Sequence, residues 1–251
     1  MATLFISDLH LSPERPAITR AFLLFLEQRA SQASALYILG DLFEAWIGDD
    51  DPSELSQQVQ TALRKLSDSG VSVSVQTGNR DFLIGRGFAT STGASLLGDE
   101  HIVEAYGHRV LVMHGDSLCT DDQAYQRFRR YARNPLYQFL FKLLPVKRRQ
   151  RIADQLRAKS MKANSNKASA IMDVNNQAVE AVLERHNVTR LIHGHTHRPD
   201  RHQHSGGERI VLGDWHDLGW VLCMDPEGFD LQSFVIDTAL EDLSTVGAVN
   251  Q

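Results

Sequence analysis

The chain has 251 residues, 42% of them hydrophobic, which is enough for one large α/β domain or for one domain with a sizeable insertion. Its two cysteines, Cys119 and Cys223, lie far apart and no secretory leader is recognisable, which fits a reducing compartment better than a disulfide framework and predicts a cytoplasmic protein. No run approaches about eighteen uninterrupted apolar residues, so the sequence predicts no membrane-spanning helix.

The net charge of −5 is unevenly distributed along the chain. Thirteen Lys and Arg but only three Asp lie in residues 121–167, giving this stretch a net charge of +10 and the rest of the chain −15. Such a block is often an exposed helix face. It also suits an anionic partner, such as phosphate groups or a membrane surface.

Four short apolar runs are predicted to be strands, and a polar residue of a kind that binds metals follows each of them. These polar residues are Asp8, Asp41, Asn79 and His114. Stretches of helical periodicity separate the first three runs, with apolar residues at Phe22, Leu23, Phe25 and Leu26, and at Leu55, Val59, Leu63 and Leu66. This order predicts parallel strands joined by right-handed crossovers, with the polar residues gathered at the carboxyl ends of the strands.

The second half of the chain begins with HIVEAYGHRVLVM, residues 101–113, which predicts a hairpin turning at Tyr106, Gly107 and His108. Helical periodicity follows until about residue 186, and then short strands return. We therefore predict a sheet-based core of residues 1–120 and 187–240. A helical insertion of residues 121–186 would interrupt this core, and residues 241–251 would form a loose tail.

The strand ends carry five short motifs in chain order: DLH at 8–10, GD at 40–41, GNRD at 78–81, HGD at 114–116 and GHTH at 194–197. Each alone is compatible with a helix cap, a turn or a buried histidine. Together they resemble the calcineurin-like metallophosphoesterase superfamily, whose signature is D-x-H, G-D, G-N-H-[D/E], H-G and G-H-x-H. The resemblance implies an α/β fold, an αββα sandwich of two mixed sheets flanked by helices, with the insertion as a lid.

The same resemblance implies a metal centre at the strand ends. Two divalent cations about 3.5–4 Å apart can clamp a phosphorus centre and activate a bound water. Asp41 would bridge the two cations, and the resemblance gives each cation three further ligands: Asp8, His10 and His197 for one, Asn79, His114 and His195 for the other. This donor set suits manganese, iron or zinc better than calcium, and the superfamily favours two Mn²⁺ per chain.

Arg80 stands where the superfamily signature has histidine. Arginine cannot give up a proton to a leaving group, but it holds phosphate oxygens in a bidentate manner. An alkoxide needs that proton, whereas a departing phosphate does not, so Arg80 predicts cleavage of a phosphoanhydride. The predicted catalytic residues are Asp41, Arg80 and His195.

The insertion contains the segment NPLYQFLFKLLPVKRRQR, residues 134–151. Its helical spacing predicts a core-facing stripe of Leu136, Phe139, Leu140, Leu143 and Leu144, with Tyr137 and Phe141 on another face. Such a helix suits a lid over a lipid beside an anionic surface, or a helix packed between the core and a second insertion helix. The arginines around Phe128 and Tyr131 come with no recognition motif, so we predict no nucleic-acid binding.

Further on, Ser160, Asn164 and Lys167 would face one way on a helix, either as a stripe that binds sugar or phosphate or as ordinary exposed surface. The longer motifs DLHL, GDLFEAWIGDD, GNRDFLIG, HGDSLCTDD and HGHTHRP resemble the UDP-2,3-diacylglucosamine pyrophosphatase family of lipid A biosynthesis. The resemblance implies attack of water on the α-phosphorus, giving UMP and 2,3-diacylglucosamine 1-phosphate. It also implies peripheral attachment to the cytoplasmic face of the inner membrane. The implied substrate contacts are Asn79, Arg80, Asp122, Ser160, Asn164, Lys167 and His195.

Two alternatives remain open at this point. One is a phosphodiesterase or phosphomonoesterase that acts on a soluble nucleotide, and the other is a scaffold that binds a membrane or a protein without catalysis. All seven ligand positions are filled, which argues against the scaffold. We expect a monomer and expect His193 to face away from the metals, and we assign no role to Asp116 or His216.

Overall fold

The computed structural model of the chain describes residues 1–164 and 173–236, and the side chains of residues 160–164 are not described. The described residues form eleven strands: β1 (Thr3–Ile6), β2 (Ala35–Leu39), β3 (Ser72–Gln76), β4 (Ser95–Leu96), β5 (His101–Ala105), β6 (His108–Met113), β7 (Arg190–His193), β8 (Asp200–His204), β9 (Gly207–Val211), β10 (Leu218–Asp225) and β11 (Gly228–Val235). They also form seven α-helices: α1 (Pro16–Gln28), α2 (Glu54–Asp68), α3 (Arg86–Thr92), α4 (Gln123–Ala132), α5 (Pro135–Lys142), α6 (Val146–Asn164) and α7 (Asn176–His186). The predicted tail, residues 241–251, lies outside the described residues.

The strands form two mixed sheets. The first has the order β11-β10-β1-β2-β3-β4, in which β1 to β4 are parallel and β1 pairs with β10 in the antiparallel sense. The second has the order β5-β6-β7-β9-β8, with β6, β7 and β9 parallel. The predicted α/β class with two mixed sheets is confirmed, as are the parallel strands of the first half and the hairpin of β5 and β6.

Strand β1 shows why the two sheets pack face to face. Successive side chains of a strand point to opposite faces, and all four residues of β1 are buried. Leu4 and Ile6 pack in a cluster with apolar residues of α1 and α2, whereas Phe5 packs in another cluster with Val110 and Ile192 of the second sheet. The first sheet is therefore covered by helices on one face and by the second sheet on the other.

The outer face of the second sheet is covered by α7. Val179 and Leu183 of this helix pack with Met113 and Leu191 in a third cluster. This contact completes the four layers of the sandwich. By contrast, neither α4 nor α5 has a buried residue. The boundaries of the insertion at residues 121 and 186 stay a prediction.

The parallel strands place their carboxyl ends together at one edge of the sandwich. The loops after β1 and β2 are tied by a hydrogen bond from Asp8 N to Gly40 O of 3.1 Å. The loops after β6 and β7 are tied by one from Gly194 N to His114 O of 3.0 Å. Within the described residues, no helix is long and apolar enough to cross a membrane.

Candidate active site

The loops at the strand ends have an unusual backbone conformation. Five predicted ligands have positive φ angles: Asp8 (55°), His10 (49°), Asp41 (52°), His195 (69°) and His197 (54°). Among the other described residues, the only non-glycine positions of this kind are Tyr106 and Asn187, which lie in a hairpin turn and at a helix end. Left-handed backbone at non-glycine residues is strained and gathers at functional sites, so its concentration here marks this edge as the site.

One group of predicted ligands consists of Asp8, His10 and His197. One donor atom of each lies within 4.8 Å of the others. His197 Nε2 is 3.3 Å from His10 Nε2 and 3.4 Å from Asp8 Oδ1. Asp8 Oδ1 is buried and has no hydrogen-bond partner among the described residues, as expected of an oxygen that binds a cation.

A second group is built around Asp41 and His114. With Asp8 they form another set of donor atoms within 4.8 Å. Asn79 Oδ1 lies 3.0 Å from His114 Nε2, and the ring of His195 is centred 5.0 Å from that of His114. Asp41 Oδ2 lies between the two groups, 3.9 Å from His10 Nε2 and 3.7 Å from His114 Nε2, which is where a bridging carboxylate is expected.

Three of the histidines present Nε2 to the cluster and direct Nδ1 to an oxygen. His114 Nδ1 lies 2.9 Å from Leu39 O, His10 Nδ1 lies 3.1 Å from Glu44 Oε2, and His197 Nδ1 lies 3.5 Å from Asp214 Oδ2. The hydrogen bond of His114 keeps the proton at Nδ1 and leaves the Nε2 lone pair for a metal, whereas His10 and His197 face carboxylates at ion-pair distances without an aligned hydrogen bond. The residues present therefore fit a divalent metal.

Glu44 and Asp214 are functional candidates that the sequence analysis missed. Each is an acidic residue in a loop, and neither belongs to one of the five short motifs. Glu44 lies three residues after Asp41 and within the longer motif GDLFEAWIGDD, and these are the sequence signals that point to it. Their contacts to His10 and His197 become visible only when the loops are brought together in three dimensions.

Asp81, the last residue of the GNRD motif, holds two of the ligand loops together. Its buried carboxylate accepts hydrogen bonds from the backbone N–H groups of Gly78 (2.7 Å), Leu42 (2.8 Å) and Asp41 (3.3 Å). Burial and the neighbouring charge of Asp41 raise the pKa of Asp81 to about 6. Asp81 therefore fixes the distance between Asp41 and the loop that carries Asn79.

The charges of the cluster are mutually compensating. Burial lowers the pKa of His195 to about 4, and His114 adds to this effect, so the His195 imidazole is neutral and able to act as a ligand. Burial also disfavours the charged form of His197, but the adjacent carboxylate of Asp8 raises the pKa of that imidazole to about 9. The carboxylates thus attract positive charge into the centre of the site.

Arg80 lies beside this cluster. Its backbone N–H donates to Asp41 Oδ1 at 2.8 Å, and its guanidinium Nη1 lies 3.7 Å from Glu44 Oε1. The Nε atom is buried and has no hydrogen-bond partner among the described residues. The guanidinium therefore faces the site with hydrogen-bonding capacity left for a phosphate group.

A cavity of about 810 Å³ extends from the cluster to helices α4, α5 and α6. Its polar end is lined by His10, Asp41, Asn79, Arg80, Asp122, His195 and His197. Its other end is apolar and is lined by Phe128, Tyr131, Tyr137, Phe141, Ile152 and Leu156. One cavity thus joins groups that handle phosphate to a surface that suits hydrocarbon.

The prediction of a core-facing stripe on α5 is wrong. Leu136, Phe139, Leu140 and Leu143 are 62%, 60%, 50% and 65% exposed, whereas Tyr137 and Phe141 on the other face line the cavity. Spacing along a helix shows which residues share a face but not what covers that face. Here the helix lies over the cavity, so its more apolar stripe points outward.

The structure brings all seven predicted ligands together, and it also places Asn79, Arg80, Asp122 and His195 around the cavity. Asp122 caps α4 by accepting a hydrogen bond of 3.0 Å from Tyr125 N. The side chains of Ser160 and Asn164, and Lys167 as a whole, lie outside the described residues. The individual roles of these residues stay predictions.

The structure also shows the burial and contacts of Asp116, His193 and His216, to which the sequence assigns no metal-binding role. Asp116 is buried and accepts hydrogen bonds from Tyr125 Oη (2.6 Å) and Arg129 Nε (2.8 Å), so it anchors α4 to the core. His193 is buried with Nε2 3.3 Å from Arg209, and burial lowers its pKa to about 3. His216 is exposed, with Nδ1 3.0 Å from Asp217 Oδ1.

Comparison with known proteins agrees with this geometry. The model of the calcineurin-like phosphoesterases matches residues 1–199. A UDP-2,3-diacylglucosamine hydrolase of Enterobacter sp. (strain 638) is 56% identical over 238 residues, covering 93% of this chain and 99% of the relative. The chain belongs to the UDP-2,3-diacylglucosamine hydrolase family of calcineurin-like phosphoesterases.

Other relatives in this family are nearly as similar over their length. The hydrolase of Edwardsiella ictaluri (strain 93-146) is 51% identical and covers 98% of this chain and 96% of its own, and that of Escherichia coli O139:H28 is 53% identical with 93% and 99% covered. Among solved structures, an archaeal phosphodiesterase matches 94% of this chain and 99% of its own, with a TM-score of 0.48 and 13% identity. The predicted resemblance is confirmed, and the chain is a hydrolase with residues that fit a divalent metal.

Proposed function

We propose that the chain hydrolyses the pyrophosphate bond of UDP-2,3-diacylglucosamine and releases UMP and 2,3-diacylglucosamine 1-phosphate, a step of lipid A biosynthesis. The observation that supports this best is the cavity, because it combines candidate phosphate and metal ligands at one end with six apolar or aromatic side chains at the other. A hydrolase for a soluble nucleotide has no use for the apolar end. The names of the relatives above give the same substrate class.

Two Mn²⁺ ions are proposed for the cluster. Asp41 would bind both, with Asp8, His10 and His197 completing one site and Asn79, His114 and His195 the other. When bound, such ions activate water for attack on phosphorus and neutralise the charge of the phosphate oxygens. Imidazole, carboxylate and amide donors are compatible with manganese, although they do not select it over iron or zinc.

The protein side chains have separate proposed tasks in the reaction. Asp41 and the other ligands would hold the cations beside which the α-phosphate and water are placed at the polar end. Water attacks the α-phosphorus, its bond to the bridging oxygen breaks, and that oxygen leaves with the sugar phosphate. Arg80 binds the oxygens of the diphosphate and neutralises charge that develops on the departing sugar phosphate. That phosphate is a stable anion, so Arg80 need not supply a proton.

The insertion is proposed to bind the lipid part of the substrate. Phe128, Phe141 and Ile152 would contact acyl chains, because burying hydrocarbon against such side chains is favourable. Asp122, which lines the cavity and caps α4, is proposed to contact the glucosamine ring. Ser160, Asn164 and Lys167 are proposed as further contacts to the sugar and its phosphate.

The exposed stripe of α5 is proposed to contact the cytoplasmic face of the inner membrane. Leu136, Phe139, Leu140 and Leu143 are half or more exposed. Lys142, Lys147, Arg148 and Arg151 follow within the same segment and are also exposed. An apolar stripe beside basic residues binds an anionic lipid surface by burying apolar area and by electrostatic attraction.

The test is hydrolysis of UDP-2,3-diacylglucosamine by the purified, manganese-loaded protein in detergent and ¹⁸O-enriched water. Mass spectrometry then locates the label. Label in UMP is the expected result, because it reports attack on the α-phosphorus. Label in the lipid phosphate would contradict the proposed orientation, and turnover of a simple diester without cleavage of this lipid would refute the proposed substrate.

A further inference from the structure

Glu44 contacts three functionally placed side chains from different parts of the chain. It lies in the loop after β2 and lines the cavity, with its side chain largely buried. Its Oε2 is 3.1 Å from His10 Nδ1, an ion-pair distance without the alignment of a hydrogen bond. Its Oε1 is 2.9 Å from Arg157 Nε and 3.7 Å from Arg80 Nη1. One carboxylate thus connects a predicted metal ligand, the cavity arginine and a helix of the insertion.

The contact to His10 concerns the metal centre. A carboxylate at Nδ1 fixes the orientation of the ring and the position of its proton, and it makes Nε2 a better donor to a metal. The comparable contact of His197 goes to Asp214, at a longer distance of 3.5 Å and with a more exposed carboxylate. Among the described residues, Glu44 is therefore the closer and more deeply buried carboxylate of this kind.

The contact to Arg157 concerns the insertion. Arg157 belongs to α6, which also contributes Ile152 and Leu156 to the apolar end of the cavity. The same helix is tied to the loop after β2 at a second place, where Arg149 donates to Asp50 Oδ1 at 2.8 Å and to Ile47 O. The position of α6 over the cavity therefore depends on two carboxylate–arginine pairs, and only the pair of Glu44 and Arg157 also touches a predicted metal ligand.

We infer that Glu44 is a positioning residue that couples the metal centre to the lid, by orienting His10 and by holding α6 through Arg157. The inference rests on the proposed role of His10 as a ligand, but not on the identity of the phosphoanhydride. Coupling is reciprocal, so a metal ion that orders His10 and Glu44 also favours the contact with Arg157. Metal binding is thus expected to stabilise α6 although no ligand in this helix is involved.

The experiment compares the full-length wild type with Glu44→Ala, Glu44→Gln and Arg157→Gln, and uses Asp50→Asn as the matched control. Calorimetric titration with Mn²⁺ measures metal affinity without substrate, and hydrogen exchange with and without Mn²⁺ measures the stability of residues 146–159. Glu44→Ala should weaken one Mn²⁺ site about 10–100-fold. Glu44→Gln should lose less, because its amide oxygen can take the place of Oε2 beside His10 Nδ1. Arg157→Gln should keep the metal affinity within about threefold but lose the slowing of exchange that Mn²⁺ causes in α6.

Asp50→Asn should speed exchange in α6 while leaving both metal affinities unchanged. Two results would overturn the inference: wild-type Mn²⁺ affinity in Glu44→Ala, or an equal loss of affinity in Asp50→Asn, which would indicate general loosening of the loop. If circular dichroism shows that Glu44→Ala does not fold, the inference is tested with Glu44→Gln and Arg157→Gln. Wild-type metal affinity in the first together with wild-type slowing of exchange by Mn²⁺ in the second would then overturn it. A wild type that binds no Mn²⁺ would refute the metal centre itself. Intact metal coupling without hydrolysis of the lipid would refute only the proposed substrate.

Discussion

Phe141 and Phe139 lie two residues apart on α5 but on opposite sides of it, and the proposed function gives them separate tasks, lipid binding for Phe141 and membrane attachment for Phe139. Phe141 is partly buried and lines the apolar end of the cavity, whereas Phe139 points outward. Truncation of Phe141 to alanine removes roughly 80 Å² of apolar contact with an acyl chain, or about 2 kcal/mol at about 25 cal/mol per Å². We therefore expect kcat/KM for UDP-2,3-diacylglucosamine to fall about 30-fold in Phe141→Ala.

Two measurements are made on each variant. The first is hydrolysis of the diacylated substrate in detergent, and the second is flotation of the protein with vesicles of phosphatidylglycerol and phosphatidylcholine. Phe139→Ala is the matched control, since the change is identical and only the face of the helix differs. It should keep kcat/KM within about twofold and reduce the bound fraction, while Phe141→Ala should do the reverse. Because Phe141 also packs against the main core cluster, the melting temperature of each variant must be measured. Equal kinetic losses in both variants would refute the assignment of the two faces.

Three further predictions address the site and the insertion. Arg80→Lys should lower kcat about 10²–10³-fold with an intact melting temperature, because it keeps the charge but loses the bidentate geometry; steady-state kinetics check this, and full activity would contradict a phosphate-binding role. Removal of divalent metal with a chelator should abolish hydrolysis and lower the melting temperature, and Mn²⁺ at 100 times its dissociation constant should restore about 2.7 kcal/mol of stability; a melting curve that ignores Mn²⁺ would refute the metal centre. Leu136→Ser with Leu140→Ser should lower vesicle binding at least tenfold without changing hydrolysis in detergent, as flotation and kinetics can show; unchanged flotation would refute the membrane face.

The metal cluster could be predicted from the sequence because its information is local. Each ligand motif directly follows a strand, and parallel strands bring their carboxyl ends together whatever lies between them. The GD motif at 40–41 and the GNRD motif at 78–81 are close in space because β2 and β3 are neighbours in exact parallel register, with Leu39 opposite Gln76. Proximity in the fold thus followed from element order alone.

The division into two sheets, the orientation of α5 and the roles of Glu44 and Asp214 depend on contacts between distant parts of the chain. Apolar runs indicate strands but do not reveal that β1 pairs with β10 while β7 joins β6, so the division into two sheets came from the resemblance. The outward stripe of α5 was misread because amphipathicity does not state which side is covered. Glu44 and Asp214 were not predicted as site residues. Nothing in the spacing of an acidic loop residue shows whether it contacts a histidine or lies on the exposed surface.

The charge of residues 121–167 also cannot be interpreted from the sequence alone, because the sequence does not show which basic residues form ion pairs. Its net charge of +10 suggests that thirteen cations are available to an anionic surface. Four of its arginines are instead paired with carboxylates of the core: Arg129 and Arg133 with Asp99, Arg149 with Asp50, and Arg157 with Glu44. These pairs hold the insertion over the cavity, and each neutralises a charge that a membrane would otherwise attract by about 1 kcal/mol. Attraction to an anionic bilayer should therefore come mainly from Lys142, Lys147, Arg148 and Arg151, which are exposed beside the apolar stripe of α5.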